Sequence, residues 1–221
     1  DTPEQRADQT DSGAGGTVVG NYATLNPVFG SVASSTNSPE NGNLTVTGGS
    51  SANFSPTTIP VTSGKWYVEA TVAGSGDAST IGVWKMPMNY GTDYYLNPNY
   101  RYYQQDGKIY YESGATSTTY DTYAAGDVIG IALDMDNGKV FFSKNGTFQG
   151  NSVPASGTNP AASGLSGAWA IVLQAGASTS HTLHLNAGQR PFHTAAPTGF
   201  KCLNTANLEA TIKDGSKYFD T

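Results

Sequence analysis

Ten of the 13 tyrosines fall between Tyr90 and Tyr123, at positions 90, 94, 95, 100, 102, 103, 110, 111, 120 and 123. A tyrosine ring offers a large contact area with few rotors to immobilise, and its hydroxyl bonds a sugar or a backbone, so binding loops accumulate it. The stretch from Trp84 through Met86, Met88, Tyr90, Tyr94, Tyr95 and Tyr100 to Arg101, with Tyr103 just beyond, is therefore the candidate ligand-binding site, an aromatic platform for a glycan or a protein. Strand packing competes with that use, and about half of the rings are expected simply to fill alternating strand positions. Tyr94-Tyr95, Tyr102-Tyr103 and Tyr110-Tyr111 are adjacent pairs, and neighbours in a strand face opposite ways, so at most one of each pair looks outward if the other is core.

Catalytic and metal chemistry find less support. His181, His184 and His193 are the only histidines; on a strand His181 and His184 point to opposite faces and cannot grip one metal. No serine lies in a nucleophile-elbow pattern, and Cys202 sits in a polar segment near the tail. Asp134, Asp136 and Gly138 have part of a calcium-loop spacing, but Gly138 and Asn145 stand where a third ligand and a bidentate glutamate belong, which favours a structural turn. Asp93, Asp106, Glu112 and Asp121 lie in the tyrosine-rich region, where carboxylates about 5 to 9 Å apart would be needed for glycoside cleavage. Solvated loop charges are the expected reading. No enzyme, metal or cofactor is expected.

The bulk composition narrows the partners. Charged residues make up only 13% of the chain, with 27 glycines and many Ser, Thr, Asn and Tyr in their place, a balance that favours strands and turns. A net charge of -6 repels polyanions, so nucleic acid is not an expected partner. One cysteine excludes an intrachain disulfide and a thiolate metal cage. No apolar stretch approaches the roughly 18 to 20 residues that span a bilayer, and no signal pattern opens the chain, so membrane insertion is not expected.

The elements that must carry these side chains are short strands. In Lys65 to Val72 one face is Trp66, Val68, Ala70 and Val72, and the other Lys65, Tyr67, Glu69 and Thr71. Ile129, Ile131 and Leu133 share a face of the segment Val128 to Asp134, with Gly130 and Ala132 leaving the opposite face small enough for close packing; Trp169, Ile171 and Leu173 repeat the pattern. Asn137-Gly138 and Asn145-Gly146 predict two tight type I′ turns bracketing a strand from Lys139 to Lys144. No segment carries a 3.6-residue apolar period, and many short strands without helices predict an all-β, antiparallel sandwich or barrel. Residues 1–20 read as a flexible polar arm, 21–202 as one sandwich domain and 203–221 as a connector or tail.

The order Gly64-Lys65-Trp66-Tyr67-Val68-Glu69, Gly126-Asp127-Val128-Ile129-Gly130, Leu133 to Phe142 and Lys144-Asn145-Gly146 resembles the SPRY domain, and Leu183-His184-Leu185-Asn186 with Gly188 to Phe192 is similar to its closing strand. The resemblance covers roughly residues 44–200. It implies an all-β fold of two antiparallel sheets packed as a bent, concanavalin-like jelly-roll β-sandwich that binds protein or other partners through loops at one end, without catalytic machinery.

Gln189-Arg190-Pro191-Phe192 and Pro197-Thr198-Gly199-Phe200-Lys201 look like SPRY domains of tailed-phage structural proteins and prophages, and residues 214–221 are similar to the connector that leads into a further module there. The start at Asp1 and that connector together suggest an excerpt of a longer chain. The resemblance thus implies a virion-surface, extracellular protein: a tail fibre or tail appendage that binds a host cell-surface glycan or protein without altering it. Other virion proteins, and further copies of the chain in a homo-oligomer, would be its neighbours. The alternatives are a capsid-decorating or virion-joining structural protein and a secreted bacterial adhesin.

Overall fold

The computed structural model describes residues 21–28, 38–49, 53–74, 79–88, 98–112, 114–177 and 180–208. The expected arm, residues 1–20, lies outside them, as do Tyr90, Tyr94 and Tyr95 of the candidate site.

Two sheets carry the described residues. The first joins β1 (Thr45–Thr47), β13 (Thr182–Asn186), β3 (Lys65–Val72), β8 (Val128–Asp134), β9 (Lys139–Lys144) and β10 (Thr147–Phe148) in that order, with β11 (Ala162–Ser163) on β9 and β14 (Lys201–Cys202) on β3. The second runs β2 (Asn53–Pro56), β12 (Trp169–Ala175), β4 (Thr80–Lys85), β5 (Asn99–Tyr103), β6 (Lys108–Tyr111) and β7 (Gly114–Thr119). All pairings are antiparallel except β14 on β3. Among the described residues helical structure is confined to 3-10 turns at Gln149–Asn151, Pro154–Ser156 and Thr205–Asn207, and no helix there is long and apolar enough to cross a membrane. The predicted antiparallel sandwich is the observed one.

The period-two pattern explains the core. Trp66, Val68, Ala70 and Val72 of β3, Ile129, Ile131 and Leu133 of β8, and Leu183 and Leu185 of β13 point inward and meet Trp169, Ile171 and Leu173 of β12, Ile81 and Val83 of β4, and Ile109 of β6. Gly130 earns its place by close approach: a Cβ there would lie 2.3 Å from Ser143 Oγ and 2.5 Å from the Tyr67 hydroxyl.

The outer faces are covered too, which alternation alone did not anticipate. On the first sheet Tyr67, Ala132 and Phe141 pack with Phe200, and Phe148 and Phe192 flank them. The cover is a strap running from Ala187 to Phe200. Asn186 Oδ1 accepts from the amides of Gly188 (3.1 Å) and Arg190 (3.4 Å), closing a turn that folds the chain back. Phe192 then meets Tyr67 edge-on at 5.0 Å, and the buried Glu69 carboxylate accepts from the amides of His193 (2.7 Å) and Thr194 (3.1 Å). The strap ends in β14 alongside the start of β3. Packing continues beyond Cys202, itself buried in β14 rather than in a polar tail: Leu203, Asn204 and Asn207 are buried, and Asn204 bridges to Tyr22.

One turn differs from expectation. Asn145 (φ 49°) and Gly146 (φ 84°) form the predicted two-residue connection between Lys144 and Thr147. Between Asp134 and Lys139, however, the connection is four residues long, and of Asn137 and Gly138 only Gly138 has a positive φ. The reason is Asp134, whose buried carboxylate accepts from the Asn137 backbone amide (3.0 Å) and side-chain amide (2.9 Å) and pairs with Lys65 at 2.9 Å. That network supplies the buried acid with partners on both oxygens.

Candidate functional site

β3 starts opposite the end of β8, and β12 starts opposite the end of β4. A bridge from Val61 to Trp169 joins these starts across the two sheets. The β2–β3 connection, the β8–β9 turn, the exit from β4 at Met86, the β6–β7 turn at Glu112 and the end of the strap therefore gather at one end of the sandwich.

A cleft of about 650 Å³ opens at that end. Pro60, Val61 and Trp66 form one wall, Asp136 and Ala155 another, and Thr198, Gly199, Lys201 and Leu208 close it. The walls are held. Trp66 Nε1 donates to the Ser63 carbonyl (2.7 Å), and Asp136 Oδ1 accepts from the Gly64 amide (2.7 Å), tying the β8–β9 turn to the β2–β3 connection. The Lys65 ammonium, besides its ion pair with Asp134, sits 5.7 Å over the Phe200 ring. Thr62, Ser63, Thr198 and Lys201 are exposed at the rim. The described lining contains no His or Cys, and among the described residues no three His, Cys, Asp or Glu side chains cluster as metal ligands. Such a surface offers shape, hydrogen bonds and a cation at Lys201.

The described members of the sequence-predicted site, Trp84 on β4 and Tyr100, Arg101 and Tyr103 on β5, divide between the two faces of the second sheet. Trp84 is fully buried rather than displayed, packed on the outer face of the second sheet with Phe54, Met88 and Val172. Arg101 is only 6% exposed: its guanidinium lies 5.8 Å from the Trp84 ring and 5.4 Å from the Tyr110 ring, its Nε donates to Asn99 Oδ1 (2.9 Å) and Nη2 donates to the Glu112 carbonyl. Both residues hold the sheet face together. They were expected at the surface because sequence gives a strand's alternation but not what covers each face. Tyr103 is half-buried on this same outer face, edge-on to Tyr110 at 5.5 Å.

Tyr100 points the other way. Its ring stacks on Trp169 at 6.2 Å and 25°, and meets Tyr111 at 4.9 Å and 38°. Tyr111, 38% exposed, ends this row at the cleft end of the molecule. Burial, then the nearby Glu112 charge, raises the Tyr100 phenol; a hydrogen bond to Glu112, then burial, raises that of Tyr111. Both stay protonated hydrogen-bond donors through the neutral range. Tyr102, Tyr120 and Tyr123 form a plug at the opposite end, where the Tyr123 hydroxyl donates to the carbonyls of Ser79 (3.1 Å) and Tyr102 (3.0 Å).

The cleft residues were not singled out from sequence, since they come from segments more than 130 positions apart. The available signals were the Ser63-Gly64 and Thr198-Gly199 pairs flanking strands, and those signal turns in general rather than a site.

A family model of the SPRY domain matches residues 65–161. Among solved structures, the chain is similar to the SPRY domain of human HERC1, at 19% identity over 66% of this chain and 89% of that chain, with a TM-score of 0.54. A second human SPRY domain aligns at 17% identity over 64% of this chain and 90% of that chain, with a TM-score of 0.46. No curated protein matches. At this identity the first structural likeness speaks for the fold.

Proposed function

We propose that the chain carries an SPRY domain, in general a protein–protein interaction module, and is a non-covalent recognition module that holds a partner protein at the cleft end of the sandwich. The observation carrying this is the cleft itself: about 650 Å³, with apolar floor residues Val61 and Trp66 and a polar rim drawn from three separate segments. A buried apolar centre inside a polar, hydrogen-bonding rim is the usual anatomy of a protein-recognition patch.

A finer reading places the module on a tailed-phage virion, in a tail fibre or appendage contacting a host surface protein or glycan, with several copies supplying avidity. Its support is the likeness of Gln189–Phe192 and Pro197–Lys201 to phage SPRY proteins, together with the tyrosine-rich run. Capsid decoration, joining of virion parts and secretion as an adhesin are the alternative roles.

The test is capture of bacterial envelope proteins and glycans by the purified chain and by the double variant Thr62→Arg/Thr198→Arg, both sites being exposed at the rim. A bound component should lose at least about tenfold in affinity for the variant, as expected when a central patch is blocked. Unchanged capture would reject the cleft as the site.

A further inference from the structure

We infer that the cleft end carries a receptor for a cationic side chain, an arginine or lysine of the partner protein, formed by Tyr100, Tyr111 and Glu112. This deepens the protein-recognition reading and rests on it.

The first observation is the rings. Tyr111 is one of three large hydrophobic side chains exposed among the described residues, with Val28 and Val153. Its ring and that of Tyr100 stand 4.9 Å apart at 38°, and Tyr100 is backed by Trp169. Held against Tyr100, which is itself backed by Trp169, the Tyr111 ring keeps its outer face open, and the negative face of such a ring attracts a cation.

The second is the backbone. Tyr111 pairs with Gly114, so Glu112 occupies the first position of a two-residue hairpin connection, with φ 51°. Among the described residues every other non-glycine with positive φ is an asparagine. An L-residue with a long side chain is strained there, where Asn or Gly sits comfortably, and strain of this kind gathers at functional sites. What glutamate supplies in exchange is a carboxylate on the residue next to the exposed Tyr111.

The third is charge. The Glu112 charge raises both the Tyr100 and the Tyr111 phenol, so its carboxylate acts on the same corner as the exposed ring. Arg101 does not occupy the corner: it lies on the other face of β5 between Trp84 and Tyr110 and takes the Glu112 backbone carbonyl. A carboxylate has room for about four hydrogen bonds, so one from Tyr111 leaves capacity for a forked guanidinium. The chain's net charge of -6 draws cationic partners toward it.

The experiment uses two blocked tripeptides, acetyl-Gly-Arg-Gly-amide and its neutral citrulline counterpart, titrated against the whole chain while the ring resonances of Tyr100 and Tyr111 are followed by NMR. The arginine peptide should shift both rings, and the citrulline peptide should bind about fivefold more weakly or less. In Glu112→Asn, which keeps a residue suited to the left-handed conformation, the arginine response should weaken about fivefold while the melting temperature stays level or rises. Equal binding of both peptides, an undiminished arginine response in the variant, or no shift at either ring would overturn the assignment. Those results would leave cleft-dependent capture untouched. Conversely, capture that ignores the rim variant would leave the arginine response standing, so the two failures are told apart.

Discussion

At the scale of single residues, two buried or half-buried carboxylates respond to pH in opposite senses. Burial, more than offsetting the His193 and Thr194 amides and the Tyr67 hydroxyl, raises Glu69 above the ordinary 4.5. The folded chain therefore takes up this proton more readily than the unfolded one, so Glu69 favours folding most at acid pH and loses that contribution as pH rises through its raised value. For Asp127, burial pulls upward, but the Ala124 amide, Asn145 and Lys144 together hold it below 3.8. Its contribution is present above that value and disappears as acid protonates it. Urea titrations from about pH 3 to about pH 7 should thus show the stability gap between wild type and Asp127→Asn closing at the acid end, and the gap to Glu69→Gln widening there. At neutral pH Glu69→Gln should cost about 1–3 kcal/mol, since one strap amide loses its acceptor. Glu112→Asn should instead gain roughly 1 kcal/mol by relieving left-handed strain, read from the same titrations.

At the scale of elements, the strap from Ala187 to Phe200 is what turns a plain sandwich into a molecule with a cleft. It delivers Thr198 and Gly199 to the rim, and Phe200 is its buried anchor over Tyr67 and Phe141. Phe200→Ala should cost about 3–5 kcal/mol and raise amide exchange at His193 and Thr194 well before the strands open, measured by hydrogen exchange. Gly130→Ala should cost about 1–3 kcal/mol by thermal unfolding, because the new methyl would be driven into Ser143 and Tyr67.

These elements also mark where sequence reading succeeded. β3, β8, β9 and β12 were legible because each carries inward apolar residues at a period of two, and the Asn145-Gly146 turn because both residues suit positive φ. The burial of Tyr67 and Glu69 was not legible, since their cover arrives from more than 120 positions away. Alternation correctly set Tyr102 and Tyr103 on opposite faces, yet it could not say that Trp84 and Arg101 share a covered one.

At the scale of the whole molecule, the two ends of the sandwich differ in kind. One end is plugged by Tyr102, Tyr120, Tyr123 and Phe142; the other is open, rimmed by polar residues and flanked by the Tyr100–Tyr111 row. The account therefore predicts recognition at a single end. Its most direct test is the dissociation constant of a captured partner for wild type, for Thr62→Arg/Thr198→Arg at the cleft, and for Thr122→Arg at the plugged end. At least about a tenfold loss in the cleft variant, with Thr122→Arg matching wild type, is the predicted result. Equal affinity across all three, or a loss confined to Thr122→Arg, would contradict it.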